Sequence, residues 1–392
     1  MEVLQLPNGF LRRVPLAQPD ITEREVAAVG EVVRSGILAL GPKMVEFEEK
    51  VVAYVGRKYA VAVNSGTSGL HLLVRAYGIG EGDEVITTPF SFIASSNCLL
   101  YERARPVFID IEPDTGNIDA RRIEEAITNK TKAILPVDAF GQPARLDLVR
   151  EIADRYGLVV IEDACEALGS EYKNQKAGSG AFSDAAVFAF YPNKQITTGE
   201  GGMIVTDDER VAKLCRSLRN QGRAESGLWL SHQYLGYNYR LDEMSAALGV
   251  VQMDRIEEII EMRQRVAELY FQRLRSIPGV RLPYVAPEVT RMSWFVFVIR
   301  VGVDEPDPGR QRWVRDTVMQ RLEEAGIGCR PYFTPIHLQP FYRERFGFKE
   351  GDFPQAEAFG RTSIAIPFHN RLTEEEIDYV GDVLEQALAE LG

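Results

Sequence analysis

YAVAVNSGTSGLHLLVRAY (residues 59–77) reads as a short β-branched strand, a turn of small residues and an amphipathic helix in direct succession. The pattern then repeats downstream. Glu84–Thr88 is strand-like, a helix follows near Ile93–Tyr101, and Pro106–Ile111 is again a strand. Arg122–Ile127 reads as helical after an Asp119 cap, Ala133–Val137 as a strand, Leu148–Tyr156 as a helix and Leu158–Glu162 as a strand. Ala185–Phe190 and Met203–Thr206 add two more strands. Short apolar strands alternating with helices require βαβ units, which form a mainly parallel sheet covered on both faces. Upstream, Asp20–Glu25 holds two overlapping capping boxes ahead of an apolar stripe at Val26, Val29 and Val33, predicting a helix.

A proline-free helical pattern runs from about Glu243 to Ser276, and beyond Pro278 the pattern restarts. A strand at Trp294–Val301, a helix near Trp313–Ala325, a strand at Gly328–Tyr332 and a closing helix capped by Thr373 make a second, smaller unit. In the closing helix Ile377, Val380, Leu384 and Leu388 share one face. The expected organisation is a large α/β domain over residues 1–250 and a small C-terminal α/β domain over 251–392, with the N-terminal helix able to pack on the small one. Lys and Arg number 45 against 57 Asp and Glu, a net charge of −12, and no basic block interrupts the acidic balance. Nucleic-acid and anionic-membrane binding both need a local positive field, so neither is expected. The four cysteines are far apart without CxxC or paired histidines, which speaks against a metal site and for a reducing cytoplasm. The opening MEVLQLPNGFLRRVPLAQPD has no apolar run of signal-peptide length, and we expect a soluble cytoplasmic protein.

Three places carry candidate chemistry. In FAFYPNKQITTGEGG (188–202) aromatic residues lead into Lys194, and an ammonium in apolar surroundings is costly unless compensated. Such an amine is a nucleophile toward carbonyl compounds; a lysine that snorkels to solvent is the plainer alternative. In LVVIEDACEALGS, Asp163 falls at the carboxyl end of an apolar strand, where open α/β sheets bind ligands, or else caps the next helix. Asn64–Gly69 (NSGTSG) lies between strand and helix, where Ser65, Gly66 and Thr67 would present free N–H groups to a phosphate, or form an ordinary capped turn. Together, a phosphate cradle, a strand-end carboxylate and a shielded lysine meet the needs of pyridoxal phosphate.

The ordered set NSGTSGL, TTPFSFIAS, FGQPARLD, IEDACEALGS, FAFYPNKQITTGEGG and GYNYRLDEMSAALG resembles the DegT/StrS family of sugar aminotransferases, from about residue 15 to residue 342. The resemblance implies an aspartate-aminotransferase-like fold, pyridoxal 5′-phosphate with the pyridoxamine form as intermediate, and a homodimer with shared active sites. It implies that Lys194 carries the cofactor as a Schiff base and that Asp163 pairs with the ring nitrogen. Phe92 would stack on the ring, Gly66 and Thr67 would bind the phosphate, and Asn238 would reach the cofactor of the neighbouring subunit. Glu166 stands where glutamine or histidine is frequent, and Ala189 replaces a frequent phosphate-binding serine. The reaction implied is transfer of an amino group from glutamate or glutamine to a keto sugar, usually nucleotide-linked. Transamination of a cyclitol or amino acid, or a non-catalytic regulatory role, are the other readings. Arg330, Tyr332 and His337 in CRPYFTPIHLQPFY, and the basic Arg219–Arg223 segment, are candidate substrate contacts; strand, loop and helix-end packing would account for them equally.

Overall fold

The computed structural model describes residues 13–223 and 231–391; MEVLQLPNGFLR at the start lies outside them. In chain order the elements begin with α1 (Glu23–Ser35), α2 (Pro42–Val55), β1 (Tyr59–Val63), α3 (Gly66–Ala76), β2 (Glu84–Thr87), α4 (Ala94–Tyr101), β3 (Arg105–Phe108) and β4 (Thr131–Ile134). There follow α5 (Leu146–Tyr156), β5 (Val159–Asp163), β6 (Glu171–Tyr172), β7 (Gln175–Lys176), β8 (Ala185–Ala189), β9 (Gly202–Thr206) and α6 (Glu209–Arg219). The remainder is α7 (Glu243–Asp254), α8 (Ile256–Leu274), β10 (Val280–Arg281), β11 (Val289–Arg291), β12 (Phe297–Val301), α9 (Pro308–Glu324), α10 (Pro340–Phe346), α11 (Pro354–Thr362), β13 (Ser363–Ile366) and α12 (Glu374–Ala389).

The main sheet has seven strands in the order β1-β9-β8-β5-β4-β2-β3. Pairs β3/β2, β2/β4, β4/β5 and β5/β8 are parallel, and β9 alone runs antiparallel to both of its neighbours. The inner strands are apolar on both faces because helices cover both, as a parallel sheet requires. A separate antiparallel sheet, β10-β12-β13, carries the C-terminal part. We propose residues 1–250 and 251–392 as the two domains, with the join in the last turn of α7, just before the α7/α8 break.

That break corrects the single long helix expected over 243–276. Arg255 has left the helical conformation (φ −108°, ψ 6°), and its buried guanidinium is held by Asp20 at 2.9 Å, Glu25 at 2.9 Å and Glu258 at 3.2 Å. The α1 capping box forms between Thr22 and Glu25 as expected, but its apolar stripe does not turn inward. Val26 and Val33 are 57% and 55% exposed, while Glu25 is fully buried against α7. Burial alone would raise the Glu25 carboxyl; hydrogen bonds from Thr22, Arg255 and Gln252 outweigh it and hold the group at about 2. Arg122–Ile127 forms two 3₁₀ turns rather than a helix, and Gly328–Tyr332 makes one bridge, Arg330 to Ala365, rather than a strand.

His369 is 3% exposed with neither ring nitrogen hydrogen-bonded, and burial, with Arg263 and Arg371 nearby, depresses it to about 4. The folded state therefore binds the proton less readily than the unfolded chain. Stability from this site is complete above about pH 6.5 and is lost as pH falls toward 4. At pH 5 the loss is at most ~2 kcal/mol. Comparing melts at pH 5 and pH 8, His369→Phe is expected to narrow the difference; an unchanged difference removes His369 as its source.

Candidate active site

The carboxyl ends of the parallel strands and of β1 open on one cavity of about 530 Å³. Ser65, Gly66 and Thr67 reach it from the turn after β1, Phe92 from the turn after β2, and Asp163 from the last position of β5. Lys194 reaches it from the loop after β8, and Glu166 and Tyr332 complete the wall. This is the crevice in which open α/β sheets hold ligands.

Ser65 caps α3, its Oγ accepting from the Ser68 N–H at 3.1 Å. Among the described residues the N–H groups of Gly66 and Thr67 have no acceptor, which leaves the helix start available to an anion. The cradle is cut close. A Cβ on Gly66 would lie 2.8 Å from Cys165 Sγ and 2.9 Å from Ala189 Cβ; one on Gly202 would lie 2.6 Å from the Ser65 carbonyl. Position 189 is thus adjacent to the helix start, and its alanine offers no hydroxyl there.

Asp163 is 4% exposed. Its Oδ2 accepts from Ser95 Oγ at 2.6 Å and its Oδ1 from the Cys165 N–H at 3.2 Å. Among the described residues no cation pairs with it. Strand alternation sends the adjacent Glu162 to the opposite face, where it accepts from the Gly178 N–H and Ser183 Oγ. Lys194 Nζ lies 3.5 Å from Glu166 Oε1 and 3.8 Å from the centre of the Phe295 ring. Burial raises the Glu166 carboxyl, and the Lys194 charge partly offsets this. Glu166 Oε2 accepts from the Phe140 N–H at 2.8 Å. Burial also raises the Tyr332 phenol. Phe92 is 61% exposed.

Other expected contacts are placed elsewhere. His337 is fully buried with its Nε2 3.0 Å from Glu357, because the apolar packing of Ile336 and Tyr342 draws its segment inward. Arg330 turns outward to Glu323 at 3.0 Å. Neither lines the cavity; of the three, Tyr332 alone lies there. Arg219 is no basic surface spot either, being buried with Nη1 on Glu48 Oε1 and the Ala62 carbonyl. Asn238 does not line this chain's cavity; its carbonyl accepts weakly from Asn64 Nδ2 at 3.5 Å. Ser95, Gln195 and Phe295 went unrecognised in the sequence. Ser95 sits inside TTPFSFIAS without a local cue, and Phe295 looks like any strand residue. Among the described residues no cluster of ligating side chains could hold a metal.

Solved structures share this architecture. S. venezuelae DesV, in complex with a ketimine intermediate, matches with a TM-score of 0.87 at 35% identity over 95% of this chain and 98% of its own. Spr1654 from Streptococcus pneumoniae, solved in PLP and PMP forms, matches at 0.90 with 28% identity over 97% and 100%. The fold is that of the aspartate-aminotransferase-like, pyridoxal-phosphate-dependent transferases. The sequence model of the DegT/DnrJ/EryC1/StrS aminotransferase family matches residues 19–385, and the chain belongs to that family and is a pyridoxal-phosphate-dependent aminotransferase. GDP-perosamine synthase of Caulobacter vibrioides is 40% identical over 381 residues, 96% of this chain and 99% of that protein.

Proposed function

We propose that this enzyme moves an amino group from glutamate or glutamine to a keto sugar carried on a nucleotide. One observation carries the reading: a shielded amine at Lys194 and, among the described residues, a buried carboxylate without a cation at Asp163 and unsatisfied amides at the α3 start all line one cavity. That donor set fits pyridoxal phosphate, whose formyl carbon, ring nitrogen and phosphate each find a chemically matched group. Bound there, the cofactor supplies a carbonyl for the amine and a ring that accepts electrons.

Lys194 would hold the formyl carbon and, when freed by an amino donor, act as general base. It would carry a proton from the donor's α-carbon to C4′ and back in the second half-reaction. The Asp163 carboxylate would keep the ring nitrogen protonated. Phe92, exposed on one side of the cavity, would cover a face of the ring, and Ser65, Gly66 and Thr67 would hold the phosphate. Glu166 would keep the released Lys194 amine nearby. Tyr332 is the candidate substrate contact.

The relatives support a sugar acceptor, since GDP-perosamine synthase bears a nucleotide sugar in its name. Turnover with a panel of nucleotide-linked 3- and 4-keto sugars, compared with scyllo-inosose, tests this. Preference for scyllo-inosose would replace the sugar with a cyclitol.

A homodimer is part of the proposal. Val26, Val33, Ile37, Leu38, Leu40 and Val45, each more than 40% exposed, follow one another along α1 and into α2, a run of apolar side chains that a second subunit would cover. Asn238 would then serve the neighbouring subunit's phosphate. Val33→Glu is expected to shift sedimentation from dimer to monomer and to remove activity with it; an active monomer would break the shared-site reading. A cytoplasmic setting is supported by four cysteines without a disulfide. Among the described residues no helix is long and apolar enough to cross a membrane.

A further inference from the structure

Phe295 reaches the cavity from far along the chain, and considerable structure is committed to holding it there. It is 2% exposed, and its ring face lies 3.8 Å from Lys194 Nζ. The preceding residue, Trp294, has φ +55°, a conformation uncommon for a bulky side chain and sustained only by its surroundings. Those surroundings grip the backbone from both sides. Arg263, 4% exposed and without an acidic partner among the described residues, donates from Nε to the Trp294 carbonyl at 2.7 Å and from Nη2 to the Phe295 carbonyl at 2.8 Å. On the other side the Ser293 N–H donates to Ser170 Oγ at 2.9 Å, and Ser293 Oγ accepts from Gln195 Nε2 at 2.8 Å.

The same knot reaches Glu166. Gln195 Nε2 also donates to the Glu166 carbonyl at 2.5 Å, and Ser170 Oγ lies 2.5 Å from the Gly141 carbonyl. Gly141, at φ +92°, could carry no side chain, since its Cβ would lie 2.9 Å from that Glu166 carbonyl. Its neighbour Phe140 donates its N–H to Glu166 Oε2 and so leaves Oε1 toward Lys194. Two walls of different chemistry, a carboxylate oxygen and an aromatic face, are therefore fixed in register by one buried hydrogen-bond network.

We propose that Phe295 is a positioning residue for Lys194, its ring forming with Glu166 the seat that holds the ε-amine whenever that amine is detached from the cofactor. This rests on the reading that Lys194 is the attachment and proton-carrying residue. With the proton from the donor's α-carbon on it, the Lys194 amine would carry a full positive charge on a side chain that is only 13% exposed. So covered a side chain has little room for water around it; a ring face helps to offset the charge and takes no proton in doing so. An aliphatic residue would leave the ammonium to Glu166 alone, and a tight ion pair would hold it back from the reacting carbons.

The test uses Phe295→Leu and Phe295→Tyr with two readouts. In apoprotein labelled with ¹³C at the lysine ε-carbon, the Lys194 ε-methylene, assigned by its loss in Lys194→Arg, should resonate upfield from the ring current. The shift should persist in Phe295→Tyr and vanish in Phe295→Leu. In the holoenzyme, single-turnover reaction with a saturating amino donor should slow roughly 3- to 30-fold in Phe295→Leu, the span a cation–π contact is worth, while donor affinity stays within about two-fold. An unshifted resonance in the wild-type apoprotein, or a Phe295→Leu rate within about two-fold of wild type, overturns the proposal. If Phe295→Leu does not fold, the wild-type and Phe295→Tyr spectra still decide. A failure here is distinct from a failure of the functional reading, which would instead leave Lys194→Ala active.

Discussion

Lys194→Ala is expected to lower turnover by on the order of 10³-fold or more, with the protein still folded. The side chain's recorded contacts are with Glu166 at 3.5 Å and the Phe295 face at 3.8 Å, neither of which holds the strands together. Removing it leaves Glu166 buried without its cation; burial already raises that carboxyl, so the group can take up a proton instead of unfolding the site. Activity has no such substitute. One amine both anchors the cofactor and moves a proton in each half-reaction, so its loss removes attachment and general base together. The measurement pairs steady-state turnover with the absorption spectrum: a violet-region band reducible by borohydride in the wild type, absent in the variant. Turnover near wild type in Lys194→Ala would end the assignment.

The site was more legible in the sequence than its supports. Ser65–Thr67, Asp163 and Lys194 each follow a short apolar strand, and a mainly parallel sheet brings the ends of such strands to one edge. Residue type and strand position therefore pointed to residues that share one cavity. What failed were inferences that depend on what packs against a side chain. The α1 stripe was correctly seen as apolar, yet periodicity does not say whether such a stripe meets this chain's core or remains outside; here Glu25 is inside and Val33 outside. Arg219 looked like a solvated charge because Glu48, which buries it, is 171 positions away. Arg255 broke a helix that has no proline or glycine at the break, because Asp20 and Glu25 of a distant segment hold its guanidinium. His337 and Arg330 shared a polar, aromatic segment with Tyr332, and nothing local distinguishes the residue facing the cavity from those facing Glu357 or Glu323. Phe295 had no signal at all, since its contact with Lys194 is created by a network spread from Gly141 to Ser293.

Asp163→Asn is expected to reduce kcat/KM by on the order of 10²–10³-fold, almost as far as loss of the lysine, through charge rather than shape. The native carboxylate is buried on Ser95 Oγ and the Cys165 N–H without a cation among the described residues, an arrangement that costs several kcal/mol unless a positive atom completes it. A protonated ring nitrogen is such an atom. An asparagine keeps the size and can still accept the Cys165 N–H, but it cannot favour the charged ring. The two roles open to Asp163 then separate cleanly. If it were only the cap of the following turn, Asp163→Asn, which keeps that acceptor, would leave both the melting temperature of the apoprotein and the cofactor affinity near wild type. If it serves the ring, the apoprotein should melt at the wild-type temperature or above, relieved of an uncompensated charge, while cofactor binding weakens and the reaction slows. Asp163→Ala adds a second cost, about 1–3 kcal/mol, because the Cys165 N–H loses its acceptor, whereas Ser95 Oγ keeps Ser91 Oγ and the Phe92 carbonyl as partners. It should therefore be both inactive and less stable, which makes asparagine the diagnostic variant. An Asp163→Asn enzyme with wild-type kcat/KM and unchanged cofactor affinity would assign the carboxylate to the fold and remove it from the chemistry.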